Sequence, residues 1–78
     1  MFPNPASTTA RIKFRNSLEE EAVLEMYNNL GSLVYSGNLS EGTEDFDLPV
    51  DQYPDGVYIV RILNKDKLIG VQKLTIKQ

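Results

Sequence analysis

The sequence predicts an all-β fold, a small antiparallel β-sandwich of six to seven strands. Short segments in which apolar and polar residues alternate are separated by clusters of Gly, Pro, Asn, Asp and Ser, as is typical of strands joined by tight turns. No strand–helix–strand unit of the kind that builds a parallel sheet is evident. The chain has 78 residues, which fits one domain near the size at which a single core becomes marginal.

The first element is a strand that follows a proline-rich lead-in. Residues 1–5 contain Pro3-Asn4-Pro5, and because each proline fixes φ and lacks an N–H group, this lead-in cannot lie inside a sheet. Such lead-ins join a domain to an upstream segment, but prolines also flank ordinary strands. Residues 6–78 form the domain. Within it, Thr8–Arg15 alternates, with apolar residues on one face and a basic row, Arg11, Lys13 and Arg15, on the other.

The stretch Ser17–Leu30 is compatible with two structures. As a helix, it has a capping box formed by Ser17 and Glu20, and Gly31 would follow its last turn. As a strand over Ala22–Tyr27, it places Ala22, Leu24 and Met26 on one face. These local signals leave both structures open and slightly favour the helix.

β signals return after this stretch. Asn28–Gly31 predicts a four-residue hairpin loop in which Gly31 adopts positive φ. Ser32–Ser36 predicts a strand with Leu33 and Tyr35 on one face. The next residues, 36–42, are rich in turn formers, and Thr43–Leu48 predicts a short strand that buries Phe46 and Leu48 and ends at Pro49.

The C-terminal half predicts a hairpin of two strands. Tyr53–Gly56 is a turn signal with Pro54 at its second position, and it leads into a strand that places Tyr58, Val60 and Ile62 on one face. A polar turn over Asn64–Lys67 precedes the last strand, Leu68–Lys77. The apolar phase changes along that strand, which predicts a bulge near Gly70–Gln72.

Charge is strongly segregated along the chain. All eight bases lie in the first 15 residues or after Val60, whereas the segment 16–60 carries acids and no base. The net charge is −3. An acidic middle would repel a phosphate backbone, so we expect no nucleic-acid partner.

The composition excludes several kinds of site. The chain has no Cys and no His, which excludes disulfides, thiolate metal sites and histidine acid–base chemistry. We therefore expect no enzyme activity, no catalytic residue, no bound metal and no cofactor. No apolar run is long enough for a transmembrane segment, and no signal peptide is visible at the N-terminus, which places any such signal on a longer precursor.

An ordered set of motifs resembles the C-terminal sorting domain, type A, of the type IX (Por) secretion system. The motifs are Pro3-Asn4-Pro5 before a strand, the run Met26–Val34 with its Asn-Asn-Leu-Gly loop, Leu48-Pro49, Gly56–Val60 and a terminal strand with Lys73. The resemblance spans essentially the whole chain. It implies an immunoglobulin-like β-sandwich, and it implies that Ala22–Tyr27 is a strand.

The resemblance also implies a function. The domain would be a sorting signal that directs an upstream passenger, continuous with it in the precursor, across the outer membrane. The implied partners are the outer-membrane translocon and a sortase-like protease that removes the domain, with attachment or release of the passenger. The implied route is export through the periplasm to the outer membrane surface or the extracellular medium.

Two groups of residues are candidate site residues. The sorting motif comprises Pro3, Asn4, Pro5, Gly31, Gly56, Tyr58 and Lys73, and the terminal-strand recognition segment comprises Leu74, Thr75, Ile76, Lys77 and Gln78. Turn geometry explains the two glycines, and core packing is the simpler role for Tyr58. The outward-facing Lys73 and Lys77 are either a solvated face or a contact surface for acidic groups on a translocon partner.

An immunoglobulin-like adhesion or carbohydrate-binding module is the alternative function. In that case the acidic loop residues, Glu41, Glu44, Asp45, Asp47, Asp51 and Asp55, would supply oxygen ligands for calcium. No EF-hand spacing is present, and a solvated acidic loop is the simpler interpretation. Exposed edge strands would also permit a homodimer.

Overall fold

A computed structural model describes residues 8–78 and shows six strands in two antiparallel sheets. The strands are β1 (Thr9–Lys13), β2 (Ala22–Tyr27), β3 (Leu33–Leu39), β4 (Asp45–Pro49), β5 (Gly56–Asn64) and β6 (Lys67–Ile76). The predicted Pro3-Asn4-Pro5 lead-in lies outside the described residues. Within them there is no helix, so none is available to cross a membrane. The predicted all-β antiparallel fold is confirmed.

The two sheets form a sandwich. β1 pairs with β4, while the larger sheet has the order β3-β2-β5-β6. Apolar side chains from both sheets pack in one core, whose largest fully buried members are Leu24, Met26, Leu48, Leu74, Ile76, Val50 and Val60. Because strand side chains alternate between faces, this core requires the inner faces of the two sheets to oppose each other.

The disputed stretch contains a strand and not a helix. Ala22, Leu24 and Met26 are buried while the residues between them are partly exposed, which is the strand alternation that the sequence offered. Upstream, the backbone of Leu18 is held by residues 42–43: its N–H donates to the Thr43 carbonyl at 2.9 Å, and its carbonyl accepts from the Gly42 N–H at 2.8 Å. The Leu18 side chain is also buried. Tertiary pairing therefore outweighs the local capping signal.

Two predictions about β3 are wrong. The strand extends to Leu39, although residues 36–42 were predicted to be turn-rich. Gly37 suggested a turn, but a Cβ at this position would lie 2.7 Å from the Tyr35 hydroxyl oxygen, so the glycine makes room for that side chain inside the strand. Leu33 and Tyr35 do not share a face, because an irregularity against Met26 and Tyr27 adds one residue between them.

The C-terminal hairpin follows the prediction with shifts of a few residues. The hydrogen-bonded turn before β5 runs from Val50 to Tyr53 (N–O 3.1 Å), earlier than predicted, and Gly56 is the first residue of β5. The bulge in β6 is at Ile69, since Leu63 pairs with Leu68 and Ile62 with Gly70. The phase change of the apolar residues indicated a bulge correctly, but the sequence did not define its position.

Candidate recognition surface

The register brings the candidate site residues within the described range to one end of the larger sheet. β5 begins at Gly56, which pairs with Ile76 near the end of β6. Tyr27, at the end of β2, pairs with Ile59, and the loop with Gly31 at φ 85° follows Tyr27 directly. The sorting motif and the terminal-strand segment are thus neighbours in space, apart from the undescribed Pro3, Asn4 and Pro5.

The terminal-strand segment is divided between core and surface. Leu74 and Ile76 are 0% and 1% exposed, and they belong to the core. Lys73 and Lys77 are exposed, and Thr75 is half-buried. A partner that binds the folded domain can therefore reach the two lysines but not the two aliphatic side chains.

Gln78 attaches the end of the chain to the loop between β4 and β5. Its backbone N–H donates to Asp55 Oδ1 at 2.8 Å. Its side-chain amide donates to the carbonyls of Val50 and Tyr53 at 2.9 and 3.0 Å. These three bonds hold Gln78 in place beside the β5–β6 end of the sandwich.

Tyr58 is a core residue with a fixed hydroxyl. It is 5% exposed, and its hydroxyl donates to the Pro54 carbonyl at 2.7 Å. The ring meets Tyr53 edge-on, with centroids 6.2 Å apart. Burial, followed by the nearby Asp55 charge, raises the pKa of Tyr58. The contacts match the predicted core role.

The two basic rows lie on opposite sides of the sandwich. In the smaller sheet, Arg11 Nε donates to Asp47 Oδ1 at 2.8 Å, and Lys13 is paired in register with Asp45. The hydrogen bond to Arg11 lowers the pKa of Asp47 and raises that of Arg11. The segregation of bases and acids along the chain thus becomes cross-strand pairing of β1 with β4.

A polar cluster on β2 and β5 was not anticipated from the sequence. The Tyr27 hydroxyl donates to Glu25 Oε1 at 2.8 Å, and Arg61 donates to the same oxygen at 3.2 Å. The Arg61 guanidinium also lies 5.3 Å from the centroid of the Tyr27 ring. The hydrogen bond to Glu25 raises the pKa of Tyr27. The sequence indicates that Glu25 and Tyr27 lie on the same face of a strand, because they are two residues apart. It does not indicate that Arg61 lies beside them, because that depends on how β2 and β5 are paired.

The described residues contain no grouping of three or more acids that could hold a metal ion. The acids of the 41–55 segment are exposed, and Asp47 is engaged with Arg11. No feature of this segment therefore favours the calcium-assisted alternative.

Comparison with known families gives a match over nearly the whole chain. The family model described as "Secretion system C-terminal sorting domain" matches residues 1–77. No curated protein and no solved structure gives a significant match to the chain.

Proposed function

The chain belongs to the family of secretion system C-terminal sorting domains, and on this basis we propose that its folded sandwich is what an outer-membrane translocon recognises during type IX secretion. Family membership supplies the function of the domain, a C-terminal sorting signal that accompanies a passenger across the outer membrane. The single observation that carries the proposal is the family match, which covers the whole sandwich.

The position of the terminal strand supports recognition of a folded domain. β6 is a full member of the larger sheet, paired with β5 from Asn64–Lys67 to Gly56–Ile76. Releasing it as an extended tail would expose Leu74 and Ile76, which are buried. We therefore expect the translocon to contact the outward-facing side chains, including Lys73 and Lys77, while the strand stays in its sheet.

Removal by a sortase-like protease, with surface attachment or release of the passenger, is a further part of the proposal. The domain itself is not an enzyme in this scheme, in keeping with a sequence that has neither Cys nor His. Cleavage is expected upstream of the sandwich, in the region that precedes β1. A homodimer through edge strands is not needed for this function.

A reporter fusion tests the proposal. A folded reporter is placed before a native linker and residues 1–78 and expressed in a host with a type IX system. We expect the reporter outside the outer membrane, detected with one antibody to the reporter and one to the domain, and we expect the exported reporter to have lost the domain. A folded fusion that stays in the periplasm would refute recognition, whereas export of the uncleaved fusion would refute only the sortase step.

A further inference from the structure

The two outer faces of the sandwich differ in how many exposed apolar side chains they carry. All seven exposed large apolar side chains of the described residues lie on the larger sheet or its connections. The outward residues of that sheet, here called the outer face, follow from the register: Leu33, Ser36 and Asn38 on β3, Val23, Glu25 and Tyr27 on β2, Val57, Ile59, Arg61 and Leu63 on β5, and Leu68, Val71, Lys73 and Thr75 on β6. The smaller sheet instead presents Thr9, Arg11, Lys13, Asp45, Asp47 and Pro49.

The apolar members of the outer face are well exposed. Leu33, Leu68 and Val71 are 50–51% exposed, Val57 is 40% exposed and Ile59 is 37% exposed. Exposed apolar side chains concentrated on one face of a folded domain mark an interaction site more often than the same residues scattered singly do. The molecule measures 33 × 22 × 16 Å, so one whole face supplies at most roughly 700 Å², slightly below the ~800 Å² per partner of a standard interface.

Tyr27 and Arg61, on the two central strands of this sheet, are of the residue types that contribute most binding energy in protein interfaces. Tyr27 and Arg61 stack at 5.3 Å and share the Glu25 carboxylate, which holds both side chains in a fixed orientation. Tyrosine and arginine are enriched among the residues that contribute most to protein interfaces. Arg61 Nε is buried without a hydrogen-bond partner among the described residues, while the Arg61 side chain as a whole is 40% exposed.

The charges of the outer face indicate the chemistry of the partner. The face carries one acid, Glu25, which is already bound to Tyr27 and Arg61, and two bases, Arg61 and exposed Lys73. A second copy placed face to face would bring an excess of bases together, with no unengaged carboxylate to meet Lys73. A different protein with an apolar patch flanked by carboxylates is complementary to this face.

We propose that the outer face of the larger sheet is the surface by which the domain docks on a protein of the secretion machinery, one that presents an apolar patch with acidic side chains. This inference rests on the proposed function, because it names the surface that the machinery contacts. Val71 is the most informative position to alter. It is half exposed, lies on the outermost strand of the sheet and pairs with Arg61, so an introduced carboxylate has a cation beside it.

Export of the reporter fusion with Val71→Glu or Val71→Lys tests the docking surface. We expect Val71→Glu to lower the exported fraction about tenfold or more, the change that loss of one strong contact produces. Val71→Lys should lower it less, because the added ammonium group can face the partner's carboxylates. Thr9→Glu adds the same charge to the smaller sheet and should leave export unchanged. Melting curves establish that each variant is folded, and Leu68→Glu replaces Val71→Glu if that variant is not.

The outcomes separate this inference from the proposed function. If the unmodified fusion is exported and the folded carboxylate variant, Val71→Glu or its replacement Leu68→Glu, is exported equally well, the docking surface is wrong and the sorting function stands. A Val71→Lys variant that is as defective as Val71→Glu would refute the acidic partner. Retention of the unmodified fusion would overturn both proposals.

A photo-crosslinking residue at position 71 identifies the occupant. In cells that export the fusion, we expect a crosslink to a component of the secretion apparatus, identified by mass spectrometry, and none from position 9 on the smaller sheet. The contrary result is a crosslink between two copies of the chain, together with concentration-dependent dimers in sedimentation. It would contradict docking on a different protein and would show that the outer face mediates self-association.

Discussion

Tyr58, which the sequence predicts to be part of the sorting motif, has a structural role in the fold. The side chain fills core space between the sheets, and its hydroxyl donates to the Pro54 carbonyl at 2.7 Å. The bond ties the start of β5 to the turn that precedes it. Sequence alone predicted the core role, because an inward position on an apolar strand face leaves little else for the ring to do. The hydroxyl's partner was not predictable, since it depends on the path of the loop.

Replacing Tyr58 with phenylalanine should lower the free energy of unfolding by about 1 kcal/mol, the usual value for a lost hydrogen bond. The pKa of Tyr58 is raised by burial, so its contribution is present below the unfolded pKa, near 10, and is lost as pH rises through the folded pKa. Urea unfolding at pH 7 and above pH 10 measures both effects. The variant should lose less stability at alkaline pH than the unmodified chain, and an equal loss in the two proteins would contradict this role.

The Arg11–Asp47 ion pair predicts a dependence on acid pH. The hydrogen bond to Arg11 lowers the pKa of Asp47 in the folded state, so the pair contributes stability above the unfolded pKa of about 4 and loses it as pH falls through the lower folded pKa. Both side chains are about half exposed, and salt will weaken the effect. Asp47→Asn should therefore lose less stability than the unmodified chain between pH 7 and pH 2.5 in low salt. An equal loss of stability in both proteins would contradict a stabilising role for this ion pair.

At the scale of elements, the sequence predicted correctly the strands in which apolar and polar residues alternate without interruption. The prediction was wrong or ambiguous where a residue interrupts this alternation. β5 and β1 alternate cleanly, and their inner faces are buried as expected. β3 was truncated in the prediction because Gly37 resembles a turn residue, although it serves close packing against Tyr35. β2 was ambiguous because a capping box precedes it, and its pairing with β3 and β5 excludes a helix there, while Leu18 upstream is held by residues 42–43.

The strand assignment of β2 makes a direct spectroscopic prediction. Because residues 22–27 are paired on both sides, with β3 and with β5, far-UV circular dichroism of the folded chain should show almost no helix. A helical signal worth about a dozen residues would indicate the capping-box structure instead. Loss of the β signal on thermal unfolding is the control that the spectrum reports the folded domain.

The terminal strand makes a prediction about recognition. Lys73→Glu together with Lys77→Glu reverses two exposed charges and leaves Leu74 and Ile76 in place, so stability should change by only about 0.5 kcal/mol per site. If acidic groups of the translocon contact this row, the variant should fold and lose export. Thermal melting and the exported fraction of the reporter fusion measure the two properties separately, and normal export would leave the lysines as a solvated row.

Deletion of residues 74–78 is the contrasting variant. It removes two buried aliphatic side chains and the three hydrogen bonds of Gln78. The loss of apolar burial alone should cost roughly 3–6 kcal/mol, a large part of the stability of a domain of this size. Export would then fail because the domain unfolds, which is why charge reversal gives the clearer test of recognition.

At the scale of the whole molecule, the fold separates a polar smaller sheet from a larger sheet whose outer face carries exposed apolar side chains. The sequence predicted the sandwich and the basic rows of β1 and β6. It did not show that these rows lie on opposite faces, nor that β1 bases would be paired with β4 acids, because sheet order is not encoded in local patterns. The outer face likewise became visible only when the register aligned β2, β5 and β6.

Protease accessibility of a fused reporter in intact cells shows whether this sandwich is a sorting signal for type IX secretion. Four strains are compared: the reporter with or without residues 1–78, in a host with or without a functional type IX translocon. We expect the reporter to be accessible at the surface or present in the medium only when both the domain and the translocon are present. A folded fusion that stays protected in the periplasm of the competent host, or that leaves the cell without the translocon, would contradict it.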